Sequence, residues 1–238
     1  MMNTDRHIAS AFDRDLEGVQ ALVLRMGGLV ESALAEAADA LELSDAALAR
    51  KVMIEDAAID VLEEQVNSEC ARLIAIRAPT AGDLRTVLSV MKIASALERC
   101  GDYAKNLAKR SLVLTQMRPI PGAAGSIRRM ARLVGLMLQE ALDAFIARDV
   151  PAAVAVRERD IEVDQMYSSL FREFLTYMLE DPANITACMH LHFIAKNIER
   201  VGDHATTIAE QVIYLSTGSL PGEERRKGEG VVGPGGQG

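Results

Sequence analysis

The sequence repeats itself. Residues 93–108 read IASALERCGDYAKNLA and residues 194–209 read IAKNIERVGDHATTIA, with eight of sixteen positions identical at a constant offset of 101. A fixed internal period constrains a fold more than any local pattern, because each copy must form the same unit. The repeat extends upstream at an offset of 104. There Arg25, Met26, Leu29, Val30, Leu34, Glu36, Ala37, Asp39 and Ala40 recur as Arg129, Met130, Leu133, Val134, Leu138, Glu140, Ala141, Asp143 and Ala144. Asp45, Ala49, Val52, Asp56 and Asp60 recur as Asp149, Ala153, Val156, Asp160 and Asp164. The second copy has therefore lost three residues, in the turn where Arg77-Ala78-Pro79 faces Glu180-Asp181-Pro182.

Each copy reads as three long helices. Phe12, Leu16, Val19, Val23, Met26, Val30, Ala33, Ala37 and Ala40 follow spacings of three and four, the apolar stripe of one helix. Ser44-Asp45 ends that helix and caps the next. The second helix runs to about Arg77, and Pro79 breaks it. Thr80 is placed to cap the third, which runs to about Thr115 with Asp83 in its first turn. Pro119, Pro121 and Gly122 punctuate the linker. The stripe restarts at Ile127, Met130, Val134, Met137, Ala141 and Ala144. A fifth helix then spans about Pro151–Leu179 and a sixth about Ala183–Ser216. Rods of this length joined by short turns pack antiparallel. The expected fold is all-α: two tandem three-helix bundles at 10–116 and 126–217, a linker at 117–125, and a disordered glycine-rich tail at 218–238.

Composition narrows the function. The net charge of −8 argues against nonspecific nucleic-acid binding and suits cations. Cys70, Cys100 and Cys188 stand singly, the pattern of a reducing compartment, with Cys100 read as a small buried residue. No signal-peptide pattern opens the chain and no run reaches about 18 apolar residues, so the expectation is a soluble cytoplasmic protein. No P-loop, nucleophile elbow or dinucleotide fingerprint occurs.

The chemistry lies in four acid-x-x-x-Asp segments: Asp56/Asp60, Glu98/Asp102, Asp160/Asp164 and Glu199/Asp203. A spacing of four puts both carboxylates on one helix face. Asp56 precedes Pro79 by 23 residues and Glu98 follows it by 19, so an antiparallel pair brings both acid pairs to one height. Each repeat then gathers four carboxylates, which repel one another unless a cation intervenes. Oxygen ligands select hard ions such as Mg, Ca, Mn or ferric iron, with zinc also compatible. Gly101 and Gly202, inside the repeated segments, cost about 1 kcal/mol each against alanine in a helix. They mark close approach of a neighbouring helix or a ligand shell. A single acid pair also reads as a solvated face, but packing does not account for four matching pairs. His190 and His192 do not share a face, and His204 matches Tyr103, so none of them is a repeated ligand.

The segments LERCGDYAKNLAKR and NIERVGDHATTIAEQVIYLSTG, with RAPTAGDLR ahead of the first, resemble the PhoU family of phosphate-transport accessory regulators over about residues 10–217. The resemblance implies multinuclear iron or zinc clusters, one on Asp56, Asp60, Glu98 and Asp102 and one on Asp160, Asp164, Glu199 and Asp203. It implies a non-enzymatic homodimeric adaptor at the cytoplasmic face of the inner membrane. Its partners would be a phosphate ABC transporter, through the ATPase subunit, and a phosphate-sensing histidine kinase. It would restrain uptake and the starvation response when phosphate is ample. Two rival classes are a di-iron oxidase or metal store and a metal-free scaffold. Di-iron bundle sites use Glu-x-x-His. Here Thr4, Ala187, Met189 and Val201 stand three residues before the four histidines, against an oxidase.

Overall fold

The computed structural model describes residues 2–221, with side chains described for residue 12 and residues 14–221. The glycine-rich segment 222–238, expected to be disordered, lies outside the described residues. The helices are α1 (Met2–Glu42), α2 (Ala46–Glu55), α3 (Ala57–Arg77), α4 (Ala81–Leu114), α5 (Ala123–Ala147), α6 (Val150–Glu180) and α7 (Ile185–Thr217). A single 3₁₀ turn, Pro182–Asn184, leads into α7. Among the described residues there is no strand.

The duplication reappears in backbone detail. The first helix of each half ends on a left-handed residue, Ser44 (φ 52°) or Arg148 (φ 51°). The next residue, Asp45 or Asp149, is extended, and its amide bonds back to the carbonyl of Ala40 or Ala144 at 2.9 Å. The Asp45 carboxylate accepts from the amides of Ala47 and Leu48, and that of Asp149 from the amide of Ala152. The expected cap is thus present twice. At Thr80 the backbone is extended as a cap requires, but no helix amide reaches the hydroxyl. Its Oγ1 instead donates to the Asp83 carboxylate at 3.4 Å.

The second rod of the first half differs from the continuous helix expected. It breaks between α2 and α3 at Asp56. That residue keeps helical angles (φ −53°, ψ −36°), but Ile59 donates to the Asp56 carbonyl three residues back, at 2.9 Å. The i−4 bond from Asp60 to the same carbonyl is long, at 3.4 Å. One tightened turn therefore sits where a site residue was expected. The equivalent stretch of α6 is unbroken.

α1, α4, α7 and α5 form a closed square of neighbours. α2 and α3 pack on the α1–α4 side, and α6 on the α5–α7 side. The two three-helix units so share one core. Val23, Met26 and Val30 of α1 meet it with Leu97, Leu107, Met130, Val134, Ile194 and Ile208, all fully buried. α1 between Arg14 and Glu42 is long and apolar enough to cross a membrane by composition. Its buried stripe is instead a wall of this core. α4 and α7 cross antiparallel: Arg85 lies over the Tyr214 ring towards one end and Arg110 over the Phe193 ring towards the other. Tyr103 and His204, equivalent at the 101-residue offset, stack on each other between these two contacts, with ring centroids 5.8 Å apart. His204, which the sequence does not repeat as a ligand, is thus half of a stacked pair between the two halves.

Candidate metal centres

Each half places its four acids on two packed helices. Asp56 at the α2–α3 break and Asp60 in the first turn of α3 face Glu98 and Asp102 of α4. Asp160 and Asp164 lie on α6, which packs on α7 carrying Glu199 and Asp203, and the charges of Asp164 and Asp203 reach Glu199. An acid of the facing helix rod packs over each repeated glycine. A Cβ on Gly101 would lie 3.4 Å from Asp56 Oδ1, and a Cβ on Gly202 would lie 3.4 Å from Asp160 Oδ1. The same carboxylate leans over the same glycine in both halves, as the repeat requires.

The four acids of the first half share one electrostatic environment. Burial pushes the Glu98 carboxyl above the usual glutamate range, and Asp102, Glu63 and Asp60 add to that push against the lowering effect of Arg99. Lys105 donates to the buried Asp56 carboxylate at 2.6 Å. This bond raises the lysine's pKa against the opposing effect of burial, and Asp56, Asp102 and Asp60 reinforce it through their charge. Arg99, more than half exposed, lies 3.6 Å from Glu98 and 3.7 Å from Asp102.

In the second half Glu199 is the most enclosed of the acids with a perturbed carboxyl. Its Oε1 accepts from Lys196 at 2.8 Å, while its Oε2 is buried without a hydrogen-bond partner. Burial raises its pKa despite Lys196, and Asp203 and Asp164 raise it further. The Asp203 carbonyl accepts from the Thr206 and Thr207 hydroxyls at 2.8 and 3.0 Å.

The donor set and charge fit a hard cation: each cluster is all-oxygen, carries more negative than positive charge, and in the second half has an orphaned carboxylate oxygen. The fit is incomplete in one respect. Among the described residues, no three Asp, Glu, His or Cys side chains converge on one point as an ion's ligand set. Lys105 and Lys196 are the residues that sequence reasoning missed. Lys105 supplies an ammonium to the buried Asp56 and Lys196 one to Glu199. Both were findable by helical spacing, Lys105 three residues after Asp102 and Lys196 three before Glu199. They escaped attention because the halves do not share them: their counterparts are Thr206 and Ser95. Of the other candidates, Cys100 is fully buried as expected, and His192 packs among the rings of Tyr167, Phe171 and Phe193.

The sequence profile of the PhoU domain matches residues 23–111 and again 127–212, one match for each half. The chain belongs to the PhoU family. Two relatives named phosphate-specific transport system accessory protein PhoU homolog agree over nearly the whole length. The one from Rhizobium meliloti is 46% identical over 221 residues, covering 93% of both chains. The one from Zymomonas mobilis is 46% identical over 230 residues, covering 95% of this chain and 94% of its own. The crystal structure of PhoU from Pseudomonas aeruginosa superposes with a TM-score of 0.85 at 40% identity, covering 87% of this chain and all of that one. The phosphate transport system regulatory protein PhoU from Streptococcus pneumoniae superposes with a TM-score of 0.81 at 30% identity, over 89% and 99% of the two chains. The PhoU halves are thus the units that the internal repeat delimits.

Proposed function

We propose that this chain is the accessory protein of a phosphate-specific transport system. It acts without catalysis, as a negative regulator of phosphate uptake and of the starvation response. The observation that carries the reading is 46% identity across 93% of both chains to a protein of that name. It is an adaptor in the cytoplasm, peripheral to the inner membrane. It contacts the ATPase subunit of the phosphate ABC transporter and a phosphate-sensing histidine kinase, and it works as a homodimer. Long antiparallel rods sharing one core suit a docking body, and the sequence has no P-loop, nucleophile elbow or dinucleotide fingerprint.

The two acidic clusters hold hard cations, iron or zinc foremost, with Mn, Mg or Ca also compatible with oxygen ligands. Asp56, Asp60, Glu98 and Asp102 serve one cluster, and Asp160, Asp164, Glu199 and Asp203 the other. Burial chiefly raises the Glu98 and Glu199 carboxyls, and neighbouring acids add to it; a bound ion would offset both. For it to enter, Lys105 and Lys196 must swing away from Asp56 and Glu199. The same two lysines favour a second reading, a metal-free scaffold whose acids are balanced internally. Deleting the gene tests the regulatory role. Phosphate-uptake genes should be derepressed in ample phosphate, and normal repression in the deletion strain would overturn it.

A further inference from the structure

The net charge of −8 is unevenly spread. From Tyr103 to Gln139 the chain has no Asp or Glu in 37 residues and carries seven Lys or Arg. α7 from Ile185 to Ile198 has no acid either, and holds His190, His192 and Lys196. These stretches meet at one end of the molecule. Leu41, Ser111, Leu114, Ile120, Ala123 and Leu191 line one small pocket there, which joins the ends of α1 and α4, the linker, and the starts of α5 and α7. Lys105 and Arg128 are used within the chain, on Asp56 and on Asp39 and Glu42. Among the described residues, Lys109, Arg110 and Arg118 make no ion pair with a carboxylate.

Beside Arg110 runs an apolar row. Ile185, Met189 and Phe193 recur every four residues on α7 and are 46%, 39% and 42% exposed. Eight residues of helix make the row about 12 Å long, the reach of two helical turns. The Arg110 guanidinium lies 4.4 Å from the Phe193 ring centre, and its Nη1 is 3.5 Å from His190 Nδ1. Cation and apolar row thus form one surface. The duplication supplies an internal comparison. At the 101-residue offset, Leu84 and Leu88 keep the row, but Phe193, His190, Lys196 and Arg110 correspond to Lys92, Ser89, Ser95 and Gln211. Packing common to both halves therefore does not explain the aromatic and basic residues.

We propose that this α4–α7 flank docks an acidic amphipathic helix of a partner protein. The helix's apolar stripe lies along Ile185, Met189 and Phe193, and its carboxylates meet Arg110, Lys109 and His190. An i, i+4, i+8 row is the complement of one helix face. It runs along the side of α7 as a line one helix wide, which favours a protein helix over a bilayer. Uncovered apolar surface of this kind marks an interaction site, and the basic rim selects an acidic occupant.

The test is fluorescence anisotropy with the full chain and two labelled helical peptides of about 18 residues. Both carry Leu at the helical spacing, with Glu at the remaining polar positions in one and Lys in the other. The Glu peptide should bind at least tenfold more tightly than the Lys peptide, and its binding should weaken with salt. Met189→Ala/Phe193→Ala and Arg110→Glu should each weaken it at least tenfold. Lys92→Ala, at the position equivalent to Phe193, should leave it unchanged. All these positions are partly or wholly exposed, and circular dichroism checks that the variants fold. Failure of the Glu peptide to bind, equal binding of the two peptides, or variants that bind like wild type would overturn the proposal. So would Phe193-dependent binding to phosphatidylglycerol vesicles in place of the peptide, or a wild-type dimer that Phe193→Ala dissociates.

Discussion

Gly101 and Gly202 occupy equivalent positions but face different neighbours. A methyl on Gly101 would sit 2.9 Å from Ile59 Cδ1, and Ile59 is itself buried. A methyl on Gly202 would meet nothing closer than 3.4 Å, which is ordinary contact. Replacing glycine by alanine in a helix gains about 0.5–1 kcal/mol, whereas overpacking a core costs about 1–3 kcal/mol. Gly202→Ala should therefore stabilise the protein and Gly101→Ala should not, with at least about 1 kcal/mol between them in urea unfolding. Close helix approach, expected from both glycines, is thus strict only at Gly101. Glu199 gives a pH prediction at the same scale. Its folded-state pKa lies above the unfolded value of about 4.3. Between the two values the folded chain keeps a proton that the unfolded chain has lost. Stability therefore falls as pH rises through that window, and the full penalty is present above it. With chelator present, Glu199→Gln should be more stable than wild type at pH 7. The gap should close as pH drops below the ordinary glutamate range, and thermal melts across pH would reveal a constant gap if the assignment is wrong.

At the scale of elements, the turn ending α5 makes opposite predictions for adjacent residues. Arg148 holds a left-handed backbone at φ 51°, a conformation that costs an L-residue about 1–2 kcal/mol. Arg148→Gly should stabilise by up to about 1 kcal/mol once the looser unfolded chain is subtracted. Asp149→Ala removes the cap on α6 and should cost about 1 kcal/mol. Both shifts are measurable by thermal denaturation. Such turns were legible because Asp45 and Asp149 repeat and cap in a known way. Most later helix ends were legible to within a few residues from caps, proline and glycine, but the start of α1 at Met2 lies well ahead of the stripe that opens at Phe12. The break at Asp56 was not, because its sequence matches the unbroken α6 at Asp160 and Asp164, and only the packed structure distinguishes the two. The paired acids were legible by spacing and repetition. Lys105 and Lys196 are not repeated, their counterparts being Thr206 and Ser95, so repetition does not single them out.

For the whole molecule, the internal symmetry organises everything else. The halves meet through α4–α7 and α1–α5 around one core, and each carries one acidic cluster at positions matched by the repeat. Their carboxylates are partly countered by Lys105 and Lys196, and whether cations displace these lysines separates a metal-bearing regulator from a bare scaffold. The direct measurement is elemental analysis of the full chain after loading with ferric iron or zinc and desalting, for wild type and for Asp102→Asn/Asp203→Asn. Wild type should retain several ions per chain and the double variant far fewer. A wild type that retains none, or a double variant with unchanged stoichiometry, would contradict the account.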